Sequence, residues 1–255
     1  MLEVRGVTRR FGEFVALQDA TLSVAEGEFV TIVGASGCGK TTLLRLIAGL
    51  DQDYAGEITL RGARIEGTSL ERGIVFQEPR LLPWLTLWDN IAIALDNVPL
   101  SASAKKDAIR AQIALVGLTG FEKSYPAALS GGMAQRAAIA RALVGHPSIL
   151  LLDEPLGALD AITRMRLQEE LLRIWRHEGV SMILVTHDVE EAVFLSQKIV
   201  VMDSHPGQVT ASVPIDLPLP RERSSAKFCA LKGEIFTALH DNAAAAKTPE
   251  IEYLI

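Results

Sequence analysis

The sequence predicts an α/β fold into which a helical segment is inserted. Short apolar runs rich in β-branched residues, typical of buried strands, recur along the chain and alternate with helical patterns. One such run, residues 29–33, is followed directly by a glycine-rich loop and then by a helical pattern over residues 42–48. Strand patterns disappear between residue 85 and about residue 142, where only helical periodicity is found. These three observations predict an α/β core that is interrupted by a helical subdomain.

The glycine-rich loop has the sequence GASGCGKT, which fits the pattern G-x-x-x-x-G-K-[ST] between a strand and a helix. Its glycines permit positive φ angles, and its N–H groups and the following helix start attract phosphate oxygens. Lys40 supplies a positive charge for the outer phosphates, and the Thr41 hydroxyl is placed to bind Mg²⁺. A glycine-rich turn without a ligand is the alternative. We expect a nucleoside triphosphate at Gly34, Ala35, Ser36, Gly37, Cys38, Gly39, Lys40, Thr41 and Thr42.

Composition and charge exclude several classes of function. The 255 residues carry a formal net charge of −6 and no basic block, which argues against nonspecific binding to nucleic acid. No apolar run reaches the roughly 18 residues of a transmembrane helix, and the N-terminus lacks the layout of a signal peptide. There are two cysteines, and a disulfide at Cys38 would obstruct the glycine-rich loop. We therefore expect a cytoplasmic protein with two free thiols.

Polar side chains follow three further strand patterns. Gln77 follows residues 72–76, Asp153 and Glu154 follow residues 149–152, and His187 follows residues 180–186. Ligands of open α/β sheets bind beyond the carboxyl ends of the strands, so these side chains can reach the phosphates. Asp153 is suited to the Mg²⁺ shell and Glu154 to polarise or deprotonate the attacking water. A solvated strand end for the acids and a capping or core role for His187 are the alternatives.

A second candidate anion site begins the last helix of the insertion. Ser130 is a plausible N-cap, and Gly131 and Gly132 leave N–H groups open at the positive end of the helix dipole. The glycine-rich loop is already a complete phosphate site, so this one needs another anion or another molecule. The alternative is an ordinary capped helix start.

Three aromatic residues allow two interpretations each. Phe11, next to Gly12, fits ordinary core or an aromatic face for a purine base, and its position alone favours the core. Trp84 and Trp88 are likewise interpreted as core residues. The segment 78–84, with two prolines and several apolar residues, suits either a packed hinge or a docking surface.

Taken in order, these motifs resemble the ATP-binding subunit of ABC transporters over residues 2–240. The defining set is LSGG at 129–132, DE at 153–154, GALD at 157–160 and THD at 186–188. The resemblance implies an ABC ATPase domain over residues 1–240 and a flexible tail over residues 241–255. The fold implied is a P-loop NTPase (RecA-like) core with an N-terminal antiparallel β subdomain and a helical subdomain at about residues 78–142.

The same resemblance implies partners, cofactors and residue roles. It implies an ATP-dependent, head-to-tail homodimer at the cytoplasmic face of the membrane, with each ATP–Mg²⁺ between one phosphate loop and the partner's Ser130-Gly131-Gly132. Two transmembrane permease subunits and an extracytoplasmic solute-binding protein complete the implied assembly, without nucleic acid. The implied roles are adenine stacking for Phe11, water and Mg²⁺ sensing for Gln77, γ-phosphate contact for His187 and a dimer-interface position for Asp160.

Within that family, three stretches resemble importers of nitrate, sulfonate, taurine and related small anions. They are RIEG at 64–67, FQEPRLLPW at 76–84 and MDSHPG at 202–207, and Met133 stands where glutamine is common. An aliphatic sulfonate or taurine is the expected solute, with nitrate or bicarbonate as the alternative. A soluble ABC-type ATPase acting on nucleic acid is a less favoured alternative. Such ATPases usually carry a long coiled coil or a metal insert where this chain has a compact helical stretch, and the acidic net charge also disfavours it. A binding module that does not hydrolyse ATP is disfavoured by the presence of both Glu154 and His187.

Overall fold

A computed structural model describes residues 1–204 and 206–245, with side chains described up to residue 239. The strands are β1 (Leu2–Phe11), β2 (Phe14–Val24), β3 (Phe29–Gly34), β4 (Ala55–Leu60), β5 (Ala63–Arg64), β6 (Arg72–Val75), β7 (Ile149–Asp153), β8 (Ser181–Thr186), β9 (Lys198–Asp203) and β10 (Gln208–Pro214). The α-helices are α1 (Lys40–Ala48), α2 (Leu87–Ala92), α3 (Ala102–Leu115), α4 (Gly131–Leu143), α5 (Ala161–Glu178), α6 (Val189–Leu195) and α7 (Ala226–Ala245).

The six-stranded sheet has the order β10-β9-β3-β8-β7-β6. All neighbouring pairs are parallel except β9 with β10, which lies antiparallel at one edge. Val33 of β3 lies opposite Thr186 of β8, and Val185 of β8 lies opposite Asp153 of β7. The carboxyl ends of β3, β8 and β7 therefore lie side by side at one edge of the sheet.

Both faces of this sheet are buried, which explains why its strands are continuous apolar runs. Along β7, Ile149 and Leu151 pack with α1 and the N-terminal strands, whereas Leu150 and Leu152 pack with the helices on the other face. The side chains divide between the two faces because successive residues of a strand point in opposite directions. This packing fixes the strand ends that carry the polar residues.

The second sheet is antiparallel and has the order β2-β1-β4-β5. It packs on the face of the main sheet that carries α1. The predicted N-terminal antiparallel β subdomain is therefore confirmed. β1 and β2 form a hairpin whose tip, at Phe11 and Phe14, reaches the neighbourhood of the glycine-rich loop.

The helical insertion lies between β6 and β7 and consists of α2, α3 and α4 with short 3₁₀ turns. Trp88 is partly buried against the core, as expected. Trp84 is 69% exposed, so its assignment to the core is wrong. It precedes the N-cap Thr86 of α2 and lies in a loop without regular structure, where apolar character alone does not enforce burial.

The C-terminal part adds β9, β10 and α7 to the main sheet. The last helix continues to Ala245, past the expected end near residue 239, and alanine-rich sequence favours such a continuation. Of the tail expected over residues 241–255, residues 246–255 lie outside the described part of the chain. Within the described ranges, none of the helices combines the length and apolar character that crossing a bilayer requires.

Candidate nucleotide-binding site

The glycine-rich loop connects β3 to α1 and encloses the lysine side chain. Gly39 is the N-cap of α1 with φ of 89°, and a Cβ atom there would lie 2.7 Å from the carbonyl oxygen of Ala16. Lys40 is buried, and its Nζ donates hydrogen bonds to the carbonyl oxygens of Gly34 (2.8 Å) and Ala35 (2.9 Å). The loop thus holds a cationic group beside its own N–H donors, as a polyphosphate site requires.

A cavity of about 250 Å³ lies over this loop. Phe11, Phe14 and Glu154 line it together with Ser36, Gly37, Gly39, Lys40, Thr41 and Thr42. Phe11 is 49% exposed, and the Arg9 guanidinium lies 4.3 Å from its ring centroid, so the core interpretation of Phe11 is wrong. Phe14 was not predicted, although its pairing with Phe11 across the Gly12 turn is the signal that could have identified it.

A candidate cation site lies where α1 begins and β7 ends. The Thr41 hydroxyl donates to a carboxylate oxygen of Asp153 at 2.9 Å. Burial raises the pKa of Asp153, and the hydrogen bond from Thr41 partly offsets this effect. A desolvated carboxylate beside a hydroxyl is a pair of oxygen ligands of the kind that Mg²⁺ prefers, and a cation would relieve the cost of the buried charge.

Glu154 and His187 meet at the ends of β7 and β8. The Glu154 N–H donates to the carbonyl of Val185 (3.0 Å), and φ of this residue is 45°, an unusual value for a non-glycine residue. His187 Nδ1 lies 3.2 Å from Glu154 Oε2, and the imidazole is exposed. Backbone strain of this kind is often found at functional sites, and Glu154 lines the loop cavity.

Gln77 lies next to this pair. A Cβ atom added at Gly157 would lie 3.4 Å from Gln77 Nε2 and 3.9 Å from Glu154 Oε2. Gln77 and Glu154 therefore both lie near Gly157, and His187 contacts the same Glu154 carboxylate.

Two side chains of α4 hold the segment around Gln77. Gln135 Nε2 donates to the carbonyl of Phe76 (3.1 Å), and Arg141 donates to the carbonyls of Pro79 and Arg80 at 2.9 Å each. Burial lowers the pKa of the Arg141 guanidinium. Neither residue was predicted, because nothing in the sequence shows that the face of α4 reaches residues 76–80.

Ser130 caps α4 as expected, and its Oγ accepts from the Met133 N–H at 3.3 Å. The helix start opens into a cavity of about 310 Å³ that Arg136 and Arg166 also line. This cavity shares no lining residue with the cavity over the glycine-rich loop. Within one chain, the residues 130–132 and the phosphate loop therefore face different cavities.

Asp160 is exposed and caps α5. Its carboxylate accepts from the N–H groups of Ile162 (3.1 Å) and Thr163 (3.0 Å). Its hydrogen bonds, chiefly those with Thr163, lower its pKa. The structure thus places the GALD motif as the capped start of a long helix.

Both cysteines are free, as expected, with Cys38 buried in the loop and Cys229 exposed.

Gly207, in the connection between β9 and β10, packs under the glycine-rich loop. A Cβ atom there would lie 2.3 Å from the carbonyl oxygen of Cys38 and 2.5 Å from that of Ala16. The Gly207 carbonyl accepts from the Gln18 N–H at 2.8 Å. The close approach requires glycine and places this connection against the Cys38 carbonyl of the loop and against β2.

We expect Gly207→Ala to weaken ATP binding at least about tenfold. The added methyl group would clash with backbone atoms, and these can make room only if the phosphate loop shifts. Titration with a fluorescent ATP analogue measures this change. Gly145→Ala is the control, since a Cβ atom there meets nothing within 4 Å. Equal nucleotide affinity in the two variants would contradict the expected coupling.

Comparisons with known proteins agree with this geometry. The family model described as "ABC transporter" matches residues 17–157. A relative from Bacillus licheniformis named "Aliphatic sulfonates import ATP-binding protein SsuB" is 49% identical over 219 residues, covering 86% of this chain and 85% of its own. A relative from Xanthomonas axonopodis pv. citri named "Aliphatic sulfonates import ATP-binding protein SsuB 1" is 46% identical, covering 94% and 96%.

Solved structures show the same fold. The "Dimeric structure of a post-hydrolysis state of the ATP-binding cassette MJ0796 bound to ADP and Pi" superposes with a TM-score of 0.72 and 30% identity, covering 86% of this chain and 100% of the other. The structure of cbiO1 from Clostridium perfringens gives a TM-score of 0.78 at 22% identity, covering 97% and 98%. The chain therefore belongs to the ABC transporter family of ATP-binding proteins.

Proposed function

We propose that this chain is the ATP-hydrolysing subunit of an importer for an aliphatic sulfonate. One observation carries the ATP-hydrolysing activity: Glu154, in hydrogen-bond reach of His187, borders the same cavity as Lys40 and Thr41. A carboxylate that faces the triphosphate site can accept a proton from water, which a nucleotide-binding site without hydrolysis does not need. Residues 1–240 form the ABC ATPase domain in this proposal, with the helical subdomain at about residues 78–142.

In the proposed site, ATP stacks its adenine on Phe11 and places its phosphates on residues 34–42. Thr41 and Asp153 would hold Mg²⁺, and we assign Gln77 the sensing of the cation and the water. When bound, the cation neutralises charge that develops on the phosphate oxygens. The 2.9 Å contact between Thr41 and Asp153 supports this ligand pair.

Hydrolysis then depends on the orientation of one water molecule. Its oxygen bonds to the γ-phosphorus while the bond from that phosphorus to the bridging oxygen of ADP breaks, and Glu154 accepts the water proton. His187 contacts the γ-phosphate and fixes the Glu154 carboxylate through the 3.2 Å contact. Positioning and electrostatic stabilisation supply most of the rate in such phosphoryl transfers.

The proposed active unit is a head-to-tail homodimer that ATP closes. Ser130, Gly131 and Gly132 of one copy contact the ATP on the phosphate loop of the other, and Asp160 lies at the interface. The two separate cavities within one chain support this arrangement, because Ser130 and Gly132 line one of them and the phosphate loop lines the other. The solved cassette MJ0796, described as dimeric and bound to ADP and Pi, is a related example.

Two transmembrane permease subunits and an extracytoplasmic solute-binding protein would complete the importer, with this chain at the cytoplasmic face of the membrane. We assign the segment 78–84 as the permease-docking surface because Trp84 is exposed there. The names of the sulfonate relatives support the solute, and nitrate or bicarbonate is the alternative.

The test is ATP turnover in the complex reconstituted with its permease and solute-binding protein. We expect the sulfonate-loaded binding protein to stimulate turnover several-fold, whereas the same protein offered nitrate or bicarbonate does not. If only nitrate stimulates turnover, the transported solute is nitrate and the proposed sulfonate is wrong. Absence of any ATP turnover would contradict the proposed enzyme.

We expect Asp153→Asn to abolish the stabilisation that ATP–Mg²⁺ gives while leaving the ligand-free protein equally or more stable at pH 7. Burial raises the native pKa of Asp153. Its contribution to the free energy of unfolding is therefore largest below its unfolded pKa and is lost as the pH rises through the native pKa. Asparagine removes that cost together with the anionic Mg²⁺ ligand.

Thermal unfolding with and without ATP–Mg²⁺ measures both effects. Asp107→Asn, on the exposed surface of α3, is the control. A normal ATP–Mg²⁺ shift in Asp153→Asn would contradict the ligand role.

A further inference from the structure

A second large cleft lies between α5, α6 and the connection that precedes α7. Its volume is about 850 Å³, within the range of small-molecule sites, and none of its lining residues borders the nucleotide cavity. One wall is a single face of α5, where Leu172, Arg176 and neighbouring residues recur at helical spacing. The segment 219–224 and Phe194 of α6 also line the cleft.

The cleft combines an apolar floor with excess positive charge. Leu172, Phe194 and Leu219 supply aliphatic and aromatic surface. Four arginines and one glutamate line the same space. A ligand that matches both properties has an aliphatic body and an anionic head.

The arginines have few carboxylate partners. Arg223 pairs with Glu190 at 3.2 Å and lies 3.8 Å over the Phe194 ring. The Arg176 guanidinium makes no ion pair or hydrogen bond with any residue in the described part of the chain, and the side chain is exposed.

Arg221 is the unusual member of this group. It is buried, with a relative exposure of 9%, and its Nη1 donates to the carbonyls of Val193 (2.8 Å) and Phe194 (3.0 Å). It forms no ion pair with a carboxylate among residues 1–204 and 206–245, and burial lowers its pKa to about 10. A buried cation that has only neutral carbonyl partners gains from an anion placed beside it.

We propose that this cleft binds a small aliphatic organic anion, with the head group at Arg176 and Arg221 and the chain on Leu172, Phe194 and Leu219. The site is separate from the ATP site and needs neither a permease nor a partner chain. The inference therefore does not depend on the identity of the transported solute.

The test is calorimetric titration of the full chain, saturated with ADP–Mg²⁺ so that the phosphate loop is filled, with 1-hexanesulfonate. We expect one site per chain. Methanesulfonate should bind at least about thirtyfold more weakly, because each buried methylene contributes about fourfold. 1-Hexanol should bind at least about tenfold more weakly, because it cannot form the charge-assisted hydrogen bonds. A titration with hexanoate shows whether the carboxylate or the sulfonate head group binds more tightly. Binding of either anion supports the proposal.

Two variants locate the site. Arg176→Glu should reduce hexanesulfonate affinity at least about tenfold, and Arg64→Glu, an exposed arginine of β5, is the charge-matched control that should leave it unchanged. Leu219→Ser should weaken hexanesulfonate but leave methanesulfonate unaffected. The proposal is overturned by an absence of hexanesulfonate binding, or by equal affinity in Arg176→Glu and Arg64→Glu. An unchanged preference for the longer chain in Leu219→Ser would also overturn it. None of these outcomes changes when the importer transports a different solute.

Discussion

Replacing Glu154 by Gln should lower ATP turnover by about 10²–10⁴-fold while ATP affinity stays close to that of the wild type. A general base contributes rate increases of that size, or roughly 3–5 kcal/mol of the barrier. Glutamine preserves the shape of the side chain but accepts no proton from water. Phosphate release measures turnover, and titration with an ATP analogue measures affinity.

Glu57→Gln is the control for this experiment, because Glu57 is an exposed carboxylate of β4 in the antiparallel sheet. It should turn over ATP at the wild-type rate. Turnover within a factor of a few of the wild type in Glu154→Gln would show that another group accepts the proton.

The same variant also tests the dimer. With hydrolysis blocked, ATP–Mg²⁺ should hold two copies together, and light scattering should detect twice the monomer mass. A variant that stays monomeric with ATP–Mg²⁺, even in the presence of the membrane subunits, would contradict the proposed role of ATP between two copies.

Lys40→Ala should weaken ATP binding by about one to two orders of magnitude for each hydrogen bond to phosphate that the substitution removes. Hydrogen bonds to charged groups are worth about 1.5–3 kcal/mol, and Lys40 is the cation enclosed by the phosphate loop. Lys106→Ala, on the exposed face of α3, should bind ATP normally. Unchanged affinity in Lys40→Ala would contradict the assignment of the whole loop.

Mixing Lys40→Ala with Ser130→Ala tests whether the two cavities act across the dimer. Each mutant alone has no intact composite site, whereas a mixed dimer combines the Lys40 of one copy with the Ser130 of the other in one of its two sites. We therefore expect the mixture to regain turnover that neither variant has alone. If the mixture shows no more turnover than the separate proteins, the two residues do not serve one nucleotide.

Local sequence determined the parts of the fold that were predicted well. The apolar runs of β3, β7 and β8 are buried on both faces, so their type and approximate limits follow from composition. Because parallel strands bring their carboxyl ends to one edge, the polar residues after them were expected to reach the same phosphates. His187 lies 3.2 Å from Glu154, and Gln77 and Glu154 both lie near Gly157.

Properties that depend on distant packing were not predictable. Trp84 is as apolar as any core residue, yet an irregular loop leaves it exposed. The position of Phe11 alone favoured the core, and only the family resemblance implied its place at the nucleotide, on an exposed hairpin tip. The strand order of the main sheet, and the contacts of Gln135 and Arg141 with residues 76–80, depend on how elements far apart in sequence pack. The requirement for glycine at position 207 likewise appears only when the β9–β10 connection is placed under the phosphate loop.

The hydrogen bonds from Arg141 give α4 a mechanical consequence. Arg141 lies eleven positions after Ser130, so this part of the helix spans about 17 Å. One end faces the partner copy in the proposed dimer. At the other end, Arg141 donates hydrogen bonds to the carbonyls of Pro79 and Arg80. If nucleotide bound by the partner copy moves Ser130, α4 would therefore move the stretch that contains Trp84. Contact of that stretch with the membrane subunits would then depend on whether the opposite site holds nucleotide.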